Sequence, residues 1–157
     1  ENLVYYGRGP FENYIDRYSS SFIGRYEDKV ENQFYWYIRP QETGNKTDVR
    51  WLTLLDSGGL GVKITGLQPI SFSALHFSPE DLDPGLTRKL QHTIDIVPQK
   101  NIFLHVDLKQ RGLGGDNSWG MYPHNEYRLL DKKYTYSYMI ELVEKGSDKN
   151  DYLNSRK

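Results

Sequence analysis

Asp48-Val49-Arg50-Trp51-Leu52-Thr53-Leu54-Leu55 runs into Asp56-Ser57-Gly58-Gly59 and returns through Leu60 to Leu67. The first segment is rich in β-branched, aromatic and aliphatic residues, as strands are. Its alternation predicts Val49, Trp51 and Thr53 on one face and Leu52 and Leu54 on the other. Asp-Ser-Gly-Gly is a turn sequence, because Asp and Ser bond to nearby backbone and glycine reaches conformations that other residues avoid. Two strands about such a turn form an antiparallel hairpin.

Working outward, the same grammar repeats. Leu3 to Tyr6 is a short apolar run, and the dense Gly7-Arg8-Gly9-Pro10 reads as a turn. Phe22–Tyr26 and Gln33–Ile38 read as strands, the second ended by the polar turn 39–45. Ile70 to Phe77 alternates, with Ile70, Phe72, Ala74 and His76 on one side. Leu90–Val97, Ile102–Leu108, Glu126–Leu130 and Tyr134–Val143 are further strand candidates. Ser78-Pro79-Glu80-Asp81 is the best helix start: a capping hydroxyl, a proline suited to the first turn and two acids at the positive helix end. Asp83-Pro84-Gly85 stops it after about one turn. Short strands, regular turns and almost no helix predict an all-β antiparallel sandwich. Residues 1–145 are expected to form one domain segment and 146–157 a polar tail.

With 157 residues, the chain is the size of one domain and can bury a core without staples. Hydrophobic residues are 37% and aromatics 14%, with thirteen tyrosines, which predicts a core of large rings with hydroxyls at its edges. A net charge of −1 gives no electrostatic ground for nucleic acid or an anionic membrane as partner. The absence of cysteine excludes disulfides, thiolate catalysis and Cys-ligated metal, and leaves the compartment open. No apolar run approaches the ~18 residues of a membrane-spanning helix. Glu1-Asn2-Leu3-Val4 opens directly in strand-like sequence without the pattern of a signal peptide, and the chain is expected to be a piece of a longer one.

Chemistry-bearing residues are few in kind. Arg111-Gly112-Leu113-Gly114-Gly115-Asp116-Asn117-Ser118-Trp119-Gly120 carries four glycines, a polar run and one indole. It lacks the Gly-Lys-Ser/Thr of a phosphate loop, fails the dinucleotide spacing and precedes no helix. Two readings are open: Trp119 plugs the core, or the loop presents it as a stacking platform for the C–H face of a sugar, with polar neighbours for the hydroxyls. His76, His92, His105 and His124 supply no metal-ligand spacing, although His105 and Asp107 share a strand face. Glycoside hydrolysis needs two carboxylates about 5–5.5 Å or about 6.5–9.5 Å apart. Glu12 with Asp16, and Glu42 with Asp48, are candidates that no spacing singles out. Arg17 with Asp16 or Glu12 is a candidate ion pair, and an exposed one contributes little. Asn45-Lys46-Thr47 matches a glycosylation acceptor, a pattern short enough to arise often by chance.

Three stretches together resemble the C-terminal domain of large β-galactosidases of glycoside hydrolase family two. Gly7-Arg8-Gly9-Pro10-Phe11-Glu12-Asn13-Tyr14-Ile15-Asp16-Arg17 is similar to its GxGPxExYxDR signature. Pro40-Gln41-Glu42-Thr43-Gly44-Asn45 with Asp48-Val49-Arg50-Trp51 is similar to PQExG…DVRW, and Gln110 to Gly120 to QxGxGGDxSWG. They occur in the family's order, and the resemblance runs from about Leu3 to Val143.

The resemblance implies a galactose-mutarotase-like antiparallel β supersandwich, of which this chain is expected to be the C-terminal half. Open edges then imply self-association or closure into a smaller sandwich. It implies a non-catalytic segment of an enzyme acting on terminal β-D-galactosides of the lactose type. The catalytic glutamates, magnesium and sodium are expected in other domains, so catalytic and metal residues here are expected to be none. Substrate binding is assigned to Trp119 at the active-site mouth, with Gly114, Gly115, Asp116, Asn117 and Ser118 shaping the loop. Asn117 stands where the family commonly has an acid. Asp16 and Arg17 match signature positions that look structural, and His124 follows close on the loop. Expected partners are a β-galactoside, the remaining domains of the parent enzyme and further copies of it. A free-standing carbohydrate-binding module and a purely structural domain are the alternatives.

Overall fold

The computed structural model describes residues 1–83, 85 and 91–144. It is all-β and antiparallel. Six strands form one sheet: β1 (Asn2–Gly9), β2 (Phe22–Lys29), β3 (Lys46–Leu55), β4 (Gly61–Leu75), β5 (Phe103–Asp107) and β6 (Tyr138–Val143). The order is β2-β1-β3-β4-β5. The 15-residue β4 offers one edge to β3 and the other to two strands end to end. Its first half pairs with β6 (Ile64 opposite Ile140) and its second with β5 (Phe72 opposite Val106).

The deciding hairpin forms as its sequence predicts. Asp56 Oδ1 accepts from the N–H groups of Gly58 (2.7 Å) and Leu60 (2.9 Å), and Gly59 takes φ +84°. The facing of Val49 differs from the expected alternation. Register shifts flank it between Lys46 and Trp51, and Asp48 has φ +53°. This irregularity turns Val49 into the main core beside Leu52 and Leu54. That core also takes Leu3, Tyr5, Ile64, Ile70, Phe72 and Ala74. A second cluster joins Phe34, Leu75, Phe77, Leu82 and Ile96.

Other expectations are corrected. Gly7-Arg8-Gly9 lies inside β1 rather than in a turn, because the backbone approaches its neighbours closely there. A Cβ on Gly7 would stand 2.6 Å from Val49 Cγ2. Gln33–Ile38 forms no strand; Phe34 is spent on the second cluster, 4.4 Å from Phe77 between centroids, and the Tyr35 and Tyr37 hydroxyls on Glu12. Glu126–Leu130 is replaced by a 3₁₀ turn at Asn125–Tyr127, and 91–97 contains the 3₁₀ turn Thr93–Asp95 rather than a strand. The helical turn appears as α1 (Pro79–Leu82), with Ser78 and Asp81 forming a reciprocal capping box. Asn45 of the acceptor-like tripeptide is fully buried, out of reach of a modifying enzyme. The expected tail, 146–157, lies outside the described residues.

Candidate functional site

The three signature stretches, far apart in sequence, are joined by side-chain to backbone hydrogen bonds. Glu12 is the first link. Its carboxylate accepts from the Gly44 N–H (2.9 Å) and the Thr43 hydroxyl (3.2 Å). The Tyr37 hydroxyl donates to its other oxygen, and Arg17 Nη2 stands 3.6 Å from it. The side chain is 3% exposed. Of the two expected partners for Arg17, Glu12 is therefore the one found.

Asn13, fully buried, ties the same two stretches. Its Oδ1 accepts from the Thr47 N–H (2.9 Å), and its carbonyl accepts from Asn45 Nδ2 (2.8 Å). Asp48 pairs with Arg8. The second link is Asp16, whose Oδ2 accepts from the Gly114 N–H at 2.8 Å.

The glycine loop holds its form through four further contacts. The Gly112 N–H donates to the Tyr127 carbonyl at 2.7 Å. Gly115 packs against the Met121 backbone so closely that a Cβ would lie 2.2 Å from the Met121 carbonyl oxygen. Asn117 Oδ1 accepts the Trp119 N–H at 2.8 Å, the local Asx bond that its residue type favours. Asp116 Oδ1 lies 2.7 Å from His124 Nε2, and this hydrogen bond raises the His124 pKa above its ordinary value. Gly120 takes φ +99°, a conformation suited to glycine. Ser118 is exposed.

Trp119 projects from this frame 91% exposed. Of the two readings open from sequence, a plug in the core of the described residues is not what the ring forms. Met121 and Tyr122 are exposed nearby in sequence, and Arg128 stands 5.0 Å from the Tyr122 ring centroid.

Three of the four candidate carboxylates are engaged with scaffold donors. Glu12, Asp16 and Asp48 are held by N–H, O–H or guanidinium donors, as described above. Glu42 is half-buried on the sheet side that carries Ser73, His105 and Asp107. Burial raises its pKa; His105 and Gln110 pull it down, and Asp107 and Glu12 push it up.

Among the described residues no three His, Asp or Glu side chains group as a metal site. The buried oxygens of Glu12 already accept from hydrogen-bond donors, which a cation does not replace. Glu12, with both oxygens taken by hydrogen-bond donors, does not fit a magnesium or sodium site. The His76 imidazole is spent on the Gln99 and Asn101 carbonyls, and the His92 backbone N–H donates to the Asp95 carboxylate. Sequence reasoning missed Glu12 and Asp16 as links between stretches; their spacing within one signature was the only signal.

Comparison with known proteins agrees with the three linked stretches. Residues 1–140 match a protein-family model described as "Beta galactosidase small chain". A β-galactosidase of Priestia megaterium is 37% identical over 142 residues, covering 90% of this chain and 13% of that protein. One of Streptococcus thermophilus is 37% identical over 142 residues (89% and 13%). One of Lactobacillus delbrueckii subsp. bulgaricus is 36% identical over 130 residues (82% and 12%). The chain thus spans about 13% of the length of the first two of these relatives. The family match over residues 1–140 places the chain in the β-galactosidase small-chain family.

Proposed function

We propose that this chain is a non-catalytic segment of a retaining β-galactosidase that hydrolyses terminal β-D-galactosides of the lactose type. Its contribution to the reaction is Trp119, a stacking platform at the active-site mouth for the unit bonded to galactose. The observation that carries this reading is the fully presented indole on a loop whose backbone is fixed from several sides. An indole covers the C–H face of a sugar or aryl ring, and a fixed loop presents it without an ordering cost at each binding event.

The names of the relatives support the activity of the parent protein. The engagement of Glu12, Asp16 and Asp48 with scaffold donors supports placing the catalytic glutamates, and the magnesium and sodium implied by the family resemblance, in its other domains. Ile140 and Leu142 support those domains as partners. Both point to the core side of the sheet, opposite Ile64 and Val62, yet stand 63% and 82% exposed. Uncovered apolar surface of this kind favours association, with the parent's other domains or with further copies.

The isolated chain tests the assignment. It should show no turnover of an aryl β-galactoside and no calorimetric binding of lactose at millimolar concentration, since one platform leaves most of the sugar solvated. Lactose binding that disappears in Trp119→Ala would favour a free-standing carbohydrate-binding module. Turnover that disappears in Glu12→Gln or Glu42→Gln would contradict the non-catalytic reading.

A further inference from the structure

The loop that carries Trp119 is held by a residue far outside it. Asp16 Oδ2 accepts from the Gly114 N–H at 2.8 Å across 98 residues. Two residues earlier the loop backbone closes over the same carboxylate: a Cβ on Gly112 would stand 2.8 Å from both Cγ and Oδ2 of Asp16. On its other side Gly112 is gripped by Tyr127, with a hydrogen bond of 2.7 Å to the carbonyl. A Cβ at Gly112 would also lie 2.9 Å from Tyr127 Cβ. Gly112 is therefore wedged between Asp16 and Tyr127, and only a residue without a side chain fits there.

Asp16 is itself rigidly placed. It sits in a tight turn closed by paired backbone bonds, Arg17 N–H to the Tyr14 carbonyl (2.8 Å) and Tyr14 N–H to the Arg17 carbonyl (3.2 Å). Tyr14 is buried at one end of that turn, and Arg17 at the other reaches toward Glu12. No backbone bond between Asp16 and the loop duplicates the carboxylate contact. The carboxylate is thus the connection from this turn to the loop, five residues before the indole.

We propose that Asp16 is a positioning residue for Trp119, setting the height and angle at which the ring meets the unit bonded to galactose. This rests on the platform reading of Trp119. Asp16 then acts on recognition beyond the galactose unit and on none of the bonds being broken. A charge-assisted bond to a backbone N–H holds the loop down, and its loss lets the ring sample poses that do not stack.

The test uses the intact parent enzyme and two ligands: lactose, which reaches past the galactose unit, and galactose, which does not. Asp16→Ala should raise the KM for lactose about tenfold, the loss expected for one hydrogen bond to a charged group. It should leave inhibition by galactose unchanged. Asp16→Asn keeps an oxygen that can accept from Gly114 and should recover most of the loss. Gly112→Ala, which pushes the loop off an intact Asp16, should raise the lactose KM in the same way.

The double variant Asp16→Ala/Trp119→Ala should be no worse than Trp119→Ala alone. Additive losses in the double variant would overturn the proposal, as would a parallel loss of galactose affinity. A neutral Asp16→Ala beside a damaging Trp119→Ala would overturn Asp16 as positioner and leave the platform reading standing. A neutral Trp119→Ala would remove both.

Discussion

Glu12 Oε2 accepts the Gly44 N–H at 2.9 Å, and the two residues belong to different signature stretches 32 positions apart. The bond joins the turn after β1 to the segment entering β3, and the Thr43 and Tyr37 hydroxyls converge on the same carboxylate. In Glu12→Gln an amide N–H₂ replaces an acceptor among donors, and Arg17 loses its carboxylate partner. We predict a loss of about 2–3 kcal/mol of folding stability, read by urea unfolding. Unchanged stability with altered turnover in the parent enzyme would instead make Glu12 a participant in chemistry.

Lys46 is fully buried, and its ammonium donates to Gln33 Oε1 at 3.0 Å and the Gly44 carbonyl at 3.1 Å. Burial lowers its pKa to about 8, against the pull of Glu12 and Asp28. Between that value and the ordinary 10.5 the unfolded chain binds the proton and the folded chain does not, so this residue makes stability rise with pH across that window. Buried Tyr5 and Tyr14, whose pKa values burial raises, act in the opposite sense at the alkaline end. The prediction is therefore a difference. From pH 7 to pH 9.5 the wild-type chain should gain stability relative to Lys46→Met, and equal pH profiles would refute a buried lysine that titrates low.

The fold was legible where local chemistry and tertiary structure agree. Asp56-Ser57-Gly58-Gly59 specifies its turn through its own side chains, and Ser78 with Asp81 specifies its cap. Legibility failed where packing overrides local pattern. Gln33–Ile38 has strand composition, but Phe34 serves the second core, and the hydroxyls of Tyr35 and Tyr37 serve Glu12. Gly7 and Gly9 read as turn residues, yet they mark close approach inside a strand. The site divides in the same way. Trp119 was visible as a large ring among glycines, but its exposure was not. The tie from Asp16 to Gly114 spans 98 residues, and no local pattern encodes such a pairing.

His124 and Asp116 close the far side of the loop at 2.7 Å. Because the folded imidazole has a raised pKa, the pair's support is fully present below the unfolded value of 6.5 and is lost as pH rises through the folded one. A proton NMR titration of His124 should show a higher pKa in the wild-type chain than in Asp116→Asn. Coincident titrations would show that the pair does not form in solution.

We propose that Trp119 serves recognition rather than folding. The most direct measurement is the lactose KM of the intact parent enzyme carrying Trp119→Ala, taken with its thermal stability and its inhibition by galactose. Lactose binding should weaken by about 1–3 kcal/mol, the scale of an aromatic stacking contact, with the melting temperature and galactose inhibition unchanged. A lowered melting temperature with an unchanged lactose KM would contradict it.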